Sequence, residues 1–238
     1  MTTAAILLAG GAGVRMAAGS PKAFVHLGGR PLFLRSLEAL AESSAVERVV
    51  LVVPPDQLQI VFELIDGLAA GLIPDAIVGG GSTRQESVGR GLAALPVGID
   101  RILCHDAARP FASPDLFRSV VDALDPGMDP PDGVIPVVPS PDTIKRVHEG
   151  VVIETIPRSE TGLAQTPQGF AARALRQAHA LGLVRHETDA TDDAVLLEAA
   201  GFRVVVVPGE PGNFKITTPD DLRRAEQVLA ASRPAPTR

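Results

Sequence analysis

Short apolar runs alternate along this chain with longer stretches in which apolar residues recur at helical spacing. The runs are apolar at consecutive positions, which is typical of strands covered on both faces of a parallel sheet. They are "AAILLA", "ERVVLVV", "DAIVG", "DRILCH", "DGVIPVV" and "FRVVVV". Two helical stripes lie between them, one formed by Leu58, Val61, Phe62, Ile65 and Leu68 and the other by Leu116, Phe117, Val120, Val121 and Leu124. The alternation predicts an α/β fold with a mainly parallel sheet and helices on both faces.

Polar residues and prolines mark the helix boundaries. Ser82 together with Gln85 predicts a capping box. Ser113 and Thr218 each precede a proline and acidic residues, which predicts the N-terminus of a helix at both places. Gly201, after "LLEAA", predicts the end of a helix.

The segment from Pro139 to about Phe170 departs from this alternation. It has no helical period and contains two short strand-like runs on either side of a Glu149–Gly150 turn, which predicts a protruding β-hairpin arm. Because such an arm cannot bury itself in a single α/β sheet, we expect it to pack on a second copy of the chain in a homodimer. We expect one domain over residues 1–230, with the arm at about 139–166, and a disordered tail over 231–238.

Composition narrows the functional classes. The chain has 238 residues, 45% of them apolar, and no apolar run long enough to span a membrane. Its net charge of −6 and aromatic content of 3% offer no basic stripe and few stacking platforms, so nucleic acid is not an expected partner. The single cysteine, Cys104, excludes internal disulfides and cysteine-based zinc sites. Since the N-terminal apolar run also lacks a preceding basic segment, we expect a cytoplasmic protein.

A glycine-rich loop follows the first predicted strand in "ILLAGGAGVRMAAGSPKAF". Glycine lets a ligand approach main-chain N–H groups closely, so the loop is suited to hold phosphate. From Gly11, a dinucleotide motif G-x-G-x-x-G would need glycine where Met16 stands, and the P-loop motif has no match here. A dinucleotide-binding oxidoreductase and a P-loop NTPase are therefore disfavoured. A simple turn would explain one glycine but not the combination with Arg15 and Lys22.

Cationic and polar residues come directly after several predicted strands. In open parallel sheets ligands bind beyond the carboxyl ends of the strands, so these residues are expected to share one cleft. They are Arg15 and Lys22 after the first run, Gly80, Gly81 and Arg84 after "DAIVG", Asp106 and Arg109 after "RILCH", and Asn213 and Lys215 after "FRVVVV". An acidic chain with this arrangement focuses positive potential on one site, as a polyphosphate ligand requires.

Eight motifs in order resemble the 2-C-methyl-D-erythritol 4-phosphate cytidylyltransferase family. They are "LLAGGAGVRM", "SPKAF", "GGSTRQESV", "HDAARPF", "DTIKR", "TPQGF", "TDDAVLLE" and "NFKITTPDDL", and the match as a whole runs from Ala5 to about Leu229. The resemblance implies a Rossmann-like fold that dimerises through the arm. It also implies a Mg²⁺-dependent transfer of CMP from CTP to methylerythritol phosphate, with release of pyrophosphate, in isoprenoid precursor synthesis. The nucleophile would be a phosphate anion, which explains why no Ser/His/Asp or Cys/His constellation is needed.

The resemblance also assigns roles to residues at the nucleotide. Arg15, Lys22 and Lys215 would stabilise the charge on the α-phosphoryl group in the transition state. The main chain of Ala9, Gly10, Gly11 and Gly13 would surround the triphosphate and base, and Gly81 and Ser87 would contact cytosine. Asp106 would lie by the ribose and the Mg²⁺ that CTP brings, the alternative being a helix-capping carboxylate. His105 is expected to position the strand end rather than transfer protons.

The acceptor is assigned in the same way. Thr143 and Arg158 on the arm would bind methylerythritol phosphate across the dimer interface. The pocket wall would be completed by Arg109, Thr166 and Thr191. For Lys145 and Asp192, structural and functional interpretations remain equally open.

Two alternative functions stay in view. A ribitol-5-phosphate cytidylyltransferase shares the CTP chemistry, but Ala108 in "HDAARP" replaces a valine common in that relative. A non-catalytic nucleotide-binding regulator on the same fold predicts loss of Arg15 or Lys22, and both are present.

Overall fold

The computed structural model describes residues 1–10, 21–125, 127–184 and 190–231. Its strands are β1 Thr3–Leu8, β2 His26–Leu27, β3 Arg30–Pro31, β4 Arg48–Val53, β5 Ala76–Gly79, β6 Arg101–Asp106, β7 Gly133–Val138, β8 Ile144–His148, β9 Val151–Ile156, β10 Leu163–Ala164, β11 Gln168–Ala171 and β12 Val204–Pro208. Its α-helices are α1 Leu32–Ser43, α2 Leu58–Ile65, α3 Arg84–Ala94, α4 Pro114–Ala123, α5 Ala172–Val184, α6 Asp193–Ala199 and α7 Pro219–Ala231. Within these ranges no helix is long and apolar enough to cross a membrane.

One sheet organises the described residues, in the strand order β10-β7-β11-β6-β1-β4-β5, with β12 also paired to β7. β1 lies parallel to β4 and β6, β5 is parallel to β4, and β12 is parallel to β7. β11 runs antiparallel between β6 and β7. The expectation of a mainly parallel sheet is confirmed. The carboxyl ends of β1, β5, β6 and β12 consequently meet at the same edge of the sheet.

Both faces of the sheet are covered, as the consecutive apolar positions predicted. Residues of β1 alternate between the two faces, with Leu7 packing on one side and Ile6 on the other. The first side is covered by α1, α2 and α4, and the second by α3, α5 and α6. A third, smaller cluster of Leu27, Leu32, Ile216 and Ala225 packs α7 against β2 and the start of α1.

The helix caps follow the predicted chemistry with one correction. Ser113 Oγ accepts from Leu116 N–H and Thr218 Oγ1 accepts from Asp221 N–H, both as expected. The capping box at α3 is formed by Thr83 and Glu86, not by Ser82 and Gln85. Thr83 Oγ1 accepts from Glu86 N–H at 3.1 Å, and the Glu86 carboxylate accepts from the N–H and hydroxyl of Ser82. Gln85 cannot take that part because its side chain is buried.

The predicted hairpin is present as β8 and β9, which pair only with each other among the described strands. Glu149 and Gly150 both have positive φ, at +48° and +78°, as a tight hairpin turn requires. The arm ends sooner than the sequence pattern predicted, because β10 and β11 return to the central sheet. Four apolar side chains of the hairpin are more than half exposed, namely Val147, Val151, Val152 and Ile153.

Candidate active site

Backbone hydrogen bonds hold the strand ends together at the carboxyl edge of the sheet. Ala9 N–H donates to Val52 O at 2.7 Å, Ala107 N–H to Leu8 O at 3.0 Å, and Gly80 N–H to Val53 O at 2.7 Å. Ala9 is buried, and the glycine loop begins at Gly10. The predicted residues Gly11, Gly13 and Arg15 lie outside the described residues. The segments expected to share a cleft therefore start from adjacent points of one rigid edge.

The residues predicted to contact cytosine form a close group. Ser87 Oγ accepts from Gly81 N–H at 3.1 Å and donates to Thr83 O at 2.9 Å. A Cβ on Gly80 would lie 2.9 Å from Ser87 Oγ, and one on Gly81 would lie 2.3 Å from Glu86 Cβ. A Cβ on Gly10 would stand 3.7 Å from the same hydroxyl. The structure thus brings Gly10, Gly81 and Ser87 together, at a point where only glycine fits two of the backbone positions.

Asp106 lies between two cations. Lys215 Nζ is 2.7 Å from Asp106 Oδ2, and Arg84 Nε is 3.7 Å from Asp106 Oδ1. Burial alone raises the pKa of Asp106, but the charges of Arg84 and Lys215 outweigh it and hold that pKa well below its usual range. Asp106 is therefore a carboxylate at neutral pH, and it caps none of the helices in the described part of the chain.

Arg84 has a second acidic partner that the sequence patterns did not identify. Its Nη1 lies 2.8 Å from Oδ2 of Asp193, which is fully buried and also lies 3.0 Å from His179 Nε2. Burial lowers the pKa of Arg84, yet the two carboxylates raise it above its ordinary value overall. The two consecutive acids in "TDDAVLLE" were the sequence signal for this partner. The second of them, Asp193, is the first residue of α6 and is buried.

His105 and Thr166 fix the end of β6. Asp106 N–H donates to Thr166 Oγ1 at 3.1 Å, and that oxygen lies 3.0 Å from His105 Nδ1. Burial and, to a smaller extent, the charge of Arg109 lower the pKa of His105 to about 4, although the charge of Asp106 opposes the shift. A neutral, fully buried ring cannot exchange protons with a substrate at pH 7, which agrees with the expected positioning role.

The loop after β12, which carries Lys215, is held by side chains from two other segments. Arg109 Nη1 donates to Asn213 O at 2.8 Å, and its Nη2 donates to Ala164 O at 3.2 Å.

The Gln165 amide donates to Glu210 O at 2.8 Å and accepts from Glu210 N–H at 3.0 Å. Asn213 Nδ2 donates to Thr166 O at 2.9 Å. Gln165 was not singled out from sequence, since an isolated glutamine in a loop gives no pattern.

The predicted acceptor residues occupy more exposed positions. Arg158 is exposed at the base of the arm, where its Nη1 donates to Pro141 O at 3.2 Å, and Thr143 immediately precedes β8. Thr191 is exposed just before α6.

Lys145 and Asp192, for which structural and functional interpretations were equally open, make structural contacts. Lys145 Nζ donates to Thr155 Oγ1 at 2.6 Å, and Asp192 caps α6 by accepting from Val195 N–H at 3.1 Å.

Asp106 is the carboxylate that the structure places at the carboxyl end of β6, beside Lys215. Among the described residues, no group of three or more His, Cys, Asp or Glu is arranged to hold a metal ion. Mg²⁺ in nucleotide sites is commonly bound by one or two carboxylates together with substrate phosphates. The ionised Asp106, at the edge of the cleft, fits that limited requirement.

Comparison with known proteins shows the family. The chain matches the family model for 2-C-methyl-D-erythritol 4-phosphate cytidylyltransferase over residues 3–231. A protein of that name from Streptomyces avermitilis is 43% identical over 240 residues, covering 97% of this chain and 93% of the relative. The solved structure of 4-diphosphocytidyl-2C-methyl-D-erythritol synthase from Anaerococcus prevotii has a TM-score of 0.82 at 30% identity, covering 96% of this chain and 98% of that one. A 2-C-methyl-D-erythritol 4-phosphate cytidylyltransferase from Thermus thermophilus has a TM-score of 0.75 at 35% identity, covering 97% and 100%. This chain belongs to the 2-C-methyl-D-erythritol 4-phosphate cytidylyltransferase family.

Proposed function

We propose that this chain transfers the cytidylyl group of CTP to the phosphate of 2-C-methyl-D-erythritol 4-phosphate in isoprenoid precursor synthesis. The observation that carries the proposal is the family match over residues 3–231, and the cations Arg84 and Lys215 beside Asp106 at the carboxyl edge of the sheet support it. An oxygen of the acceptor phosphate bonds to the α-phosphorus of CTP, the bond to the β-phosphate breaks, and pyrophosphate leaves. The nucleophile is already an anion, so the reaction needs no general base, in keeping with the neutral and buried His105.

Charge stabilisation is the main task of the protein in this reaction. We assign it to Lys22, Lys215 and Arg15. Lys22 opens a short 3-10 helix, Lys22–Phe24, whose other residues are buried, and Phe24 packs on Phe33 with ring centroids 5.3 Å apart. The backbone of Lys22 is thereby anchored on the core. Lys215 is held at the cleft by Asp106, and Ile216 beside it is fully buried in the third core cluster.

The nucleotide would lie along the glycine segments. In this proposal the main chain of Ala9, Gly10, Gly11 and Gly13 surrounds the triphosphate, while Gly81 and Ser87 contact the cytosine edge. Asp106 contacts the ribose and contributes the carboxylate for Mg²⁺. When bound, Mg²⁺ supplies further positive charge at the phosphates of CTP.

The acceptor side includes a second subunit. The wall of the acceptor pocket is formed by Thr166, Thr191 and Arg109. The arm of the neighbouring subunit contributes Thr143 and Arg158, which reach the acceptor phosphate. Support for a homodimer comes from the hairpin, which pairs with no other described strand and exposes four large apolar side chains. A cytoplasmic location is part of the proposal, supported by the single, unpaired Cys104.

Pyrophosphate release tests this function. The protein is incubated with CTP, Mg²⁺ and either methylerythritol phosphate or ribitol 5-phosphate, with the Lys22→Ala variant as the control for contaminating activity. We expect pyrophosphate with methylerythritol phosphate and little with ribitol phosphate. Preferred turnover of ribitol phosphate would instead identify the chain as a ribitol-5-phosphate cytidylyltransferase. Absence of turnover with either acceptor would contradict the proposal.

A further inference from the structure

A row of ionisable side chains runs from His179 in the interior of the fold to Lys215 at the carboxyl edge of the sheet. His179 of α5 contacts Asp193, Asp193 contacts Arg84, and Arg84 and Lys215 lie on opposite oxygens of Asp106. The consecutive N···O distances are 3.0, 2.8, 3.7 and 2.7 Å. Side-chain exposure is lowest at Asp193, at 1%, intermediate at Asp106 and Arg84, at 13% and 22%, and highest at Lys215, at 41%.

Stability alone does not account for such a row. Burying charges costs desolvation energy, and well-packed apolar residues of similar volume often stabilise a fold at least as well. Arg84 nevertheless contacts two carboxylates, and one of them, Asp106, also pairs with Lys215, a proposed catalytic cation. Asp193, the other carboxylate, is the first residue of α6 and is completely buried, so it fixes the position of Arg84 on the side away from Asp106.

Asp106 has two cations that differ in exposure and in their other contacts. Arg84, near Oδ1, also pairs with the buried Asp193, whereas Lys215 on Oδ2 is the more exposed partner. If Lys215 is to turn toward the α-phosphoryl group, Asp106 loses its nearest partner. A buried carboxylate left without a cation is strongly unfavourable, and Arg84 is the second protein cation that the structure places beside Asp106.

We propose that Arg84, fixed by Asp193, is a positioning residue that keeps Asp106 paired and so releases Lys215 to stabilise the transition state. The assignment rests on the proposed cytidylyl transfer and adds a requirement to it. Without Arg84, Lys215 remains bound to Asp106, and the rate of transfer falls. CTP affinity is affected less, because the contribution of Lys215 falls mainly on the transition state.

The test uses variants that retain most of the local packing. Arg84→Lys keeps the positive charge but loses the fork that reaches both carboxylates, and Asp193→Asn keeps the shape while removing the charge that fixes Arg84. The matched controls are Arg101→Lys and Asp125→Asn. Arg101 and Asp125 form an ion pair of the same length, 2.8 Å, with a more exposed carboxylate, at the amino end of β6, which is the opposite end from Asp106.

Steady-state kinetics, CTP binding and thermal unfolding are measured for the full-length protein. We expect Arg84→Lys and Asp193→Asn to lower kcat by about ten- to hundredfold, the scale of a misplaced catalytic group. Their KM for CTP and their dissociation constant for CTP should change by no more than about threefold, and both control variants should keep kcat. An unchanged kcat in either Arg84→Lys or Asp193→Asn, or a kcat loss matched by the controls, overturns the proposal.

A double-mutant cycle with Lys215→Ala separates positioning from general structural damage. If Arg84 acts through Lys215, adding Arg84→Lys to Lys215→Ala should lower kcat by less than about twofold more. If the loss of kcat in the double variant equals the product of the losses in the two single variants, the proposal is overturned. Failure of the proposed function is recognised separately, because the wild-type protein would then release no pyrophosphate with methylerythritol phosphate.

Discussion

Protonation of His105 should destabilise the fold as the pH falls below neutrality. The ring is fully buried, its Nδ1 lies 3.0 Å from Thr166 Oγ1, and it meets Phe117 edge-on at 5.0 Å between ring centroids. These surroundings leave little room to solvate an imidazolium. Burial is the main reason that the pKa of His105 is lowered from 6.5 to about 4.

The sign and size of the effect follow from this shift. Because the pKa is lower in the folded state, the unfolded chain binds the proton more readily, and acid favours unfolding. The stability from neutral His105 is complete above pH 6.5 and is lost progressively as the pH falls toward about 4. The whole shift corresponds to about 3 kcal/mol, of which about 2 kcal/mol is lost by about pH 5.

Urea unfolding of the wild type and of His105→Gln at two pH values measures this contribution. The glutamine oxygen can accept from the Thr166 hydroxyl, but it does not titrate. Between about pH 7.5 and about pH 5, the wild type should lose about 2 kcal/mol more unfolding free energy than His105→Gln. Equal losses in the two proteins would refute the reasoning, because every other titrating group is common to both.

Three further predictions concern the reaction. Lys22→Ala should lower kcat by about 10²- to 10³-fold with a smaller change in KM for CTP, and a normal kcat at saturating CTP would make Lys22 a binding residue only. Arg158→Lys should raise KM for methylerythritol phosphate and leave KM for CTP nearly unchanged, because lysine cannot bind phosphate by two parallel hydrogen bonds; steady-state kinetics with each substrate varied decides this. Gly81→Ala should raise KM for CTP, since its Cβ would lie 2.3 Å from Glu86 Cβ, whereas Gly89→Ala, with open space around the new Cβ, should behave like the wild type.

The layered fold could be predicted because it depends on local patterns. Consecutive apolar residues in "ERVVLVV" or "DRILCH" require cover on both faces, and the intervening helical stripes supply it. Local patterns did not decide between overlapping signals. Ser82–Gln85 and Thr83–Glu86 both fit a capping box, and the choice depends on which side chain the tertiary structure buries. The insertion of β11 between β6 and β7 also depends on pairing partners distant in sequence.

The site was predictable where the topology alone brings residues together. The rule that parallel strands end at one edge was enough to join Asp106, Lys215 and Arg84. The acids of "TDDAVLLE" were visible in the sequence, but the pairing of Arg84 with Asp193 was not predictable, because it depends on how α6 packs against α5, β7 and β12. The role of Gln165 could not be predicted for a similar reason, because it consists of two hydrogen bonds to the backbone of Glu210, which is distant in sequence.

The most direct test of the central claim is phosphorus NMR of the protein with CTP, Mg²⁺ and methylerythritol phosphate. Transfer of CMP to the acceptor phosphate predicts that the monophosphate signal of methylerythritol phosphate disappears. Two coupled diphosphate signals should replace it, together with one equivalent of free pyrophosphate. Conversion of CTP to CMP while the acceptor signal remains intact would contradict the account, because the acceptor phosphate would then not be the nucleophile.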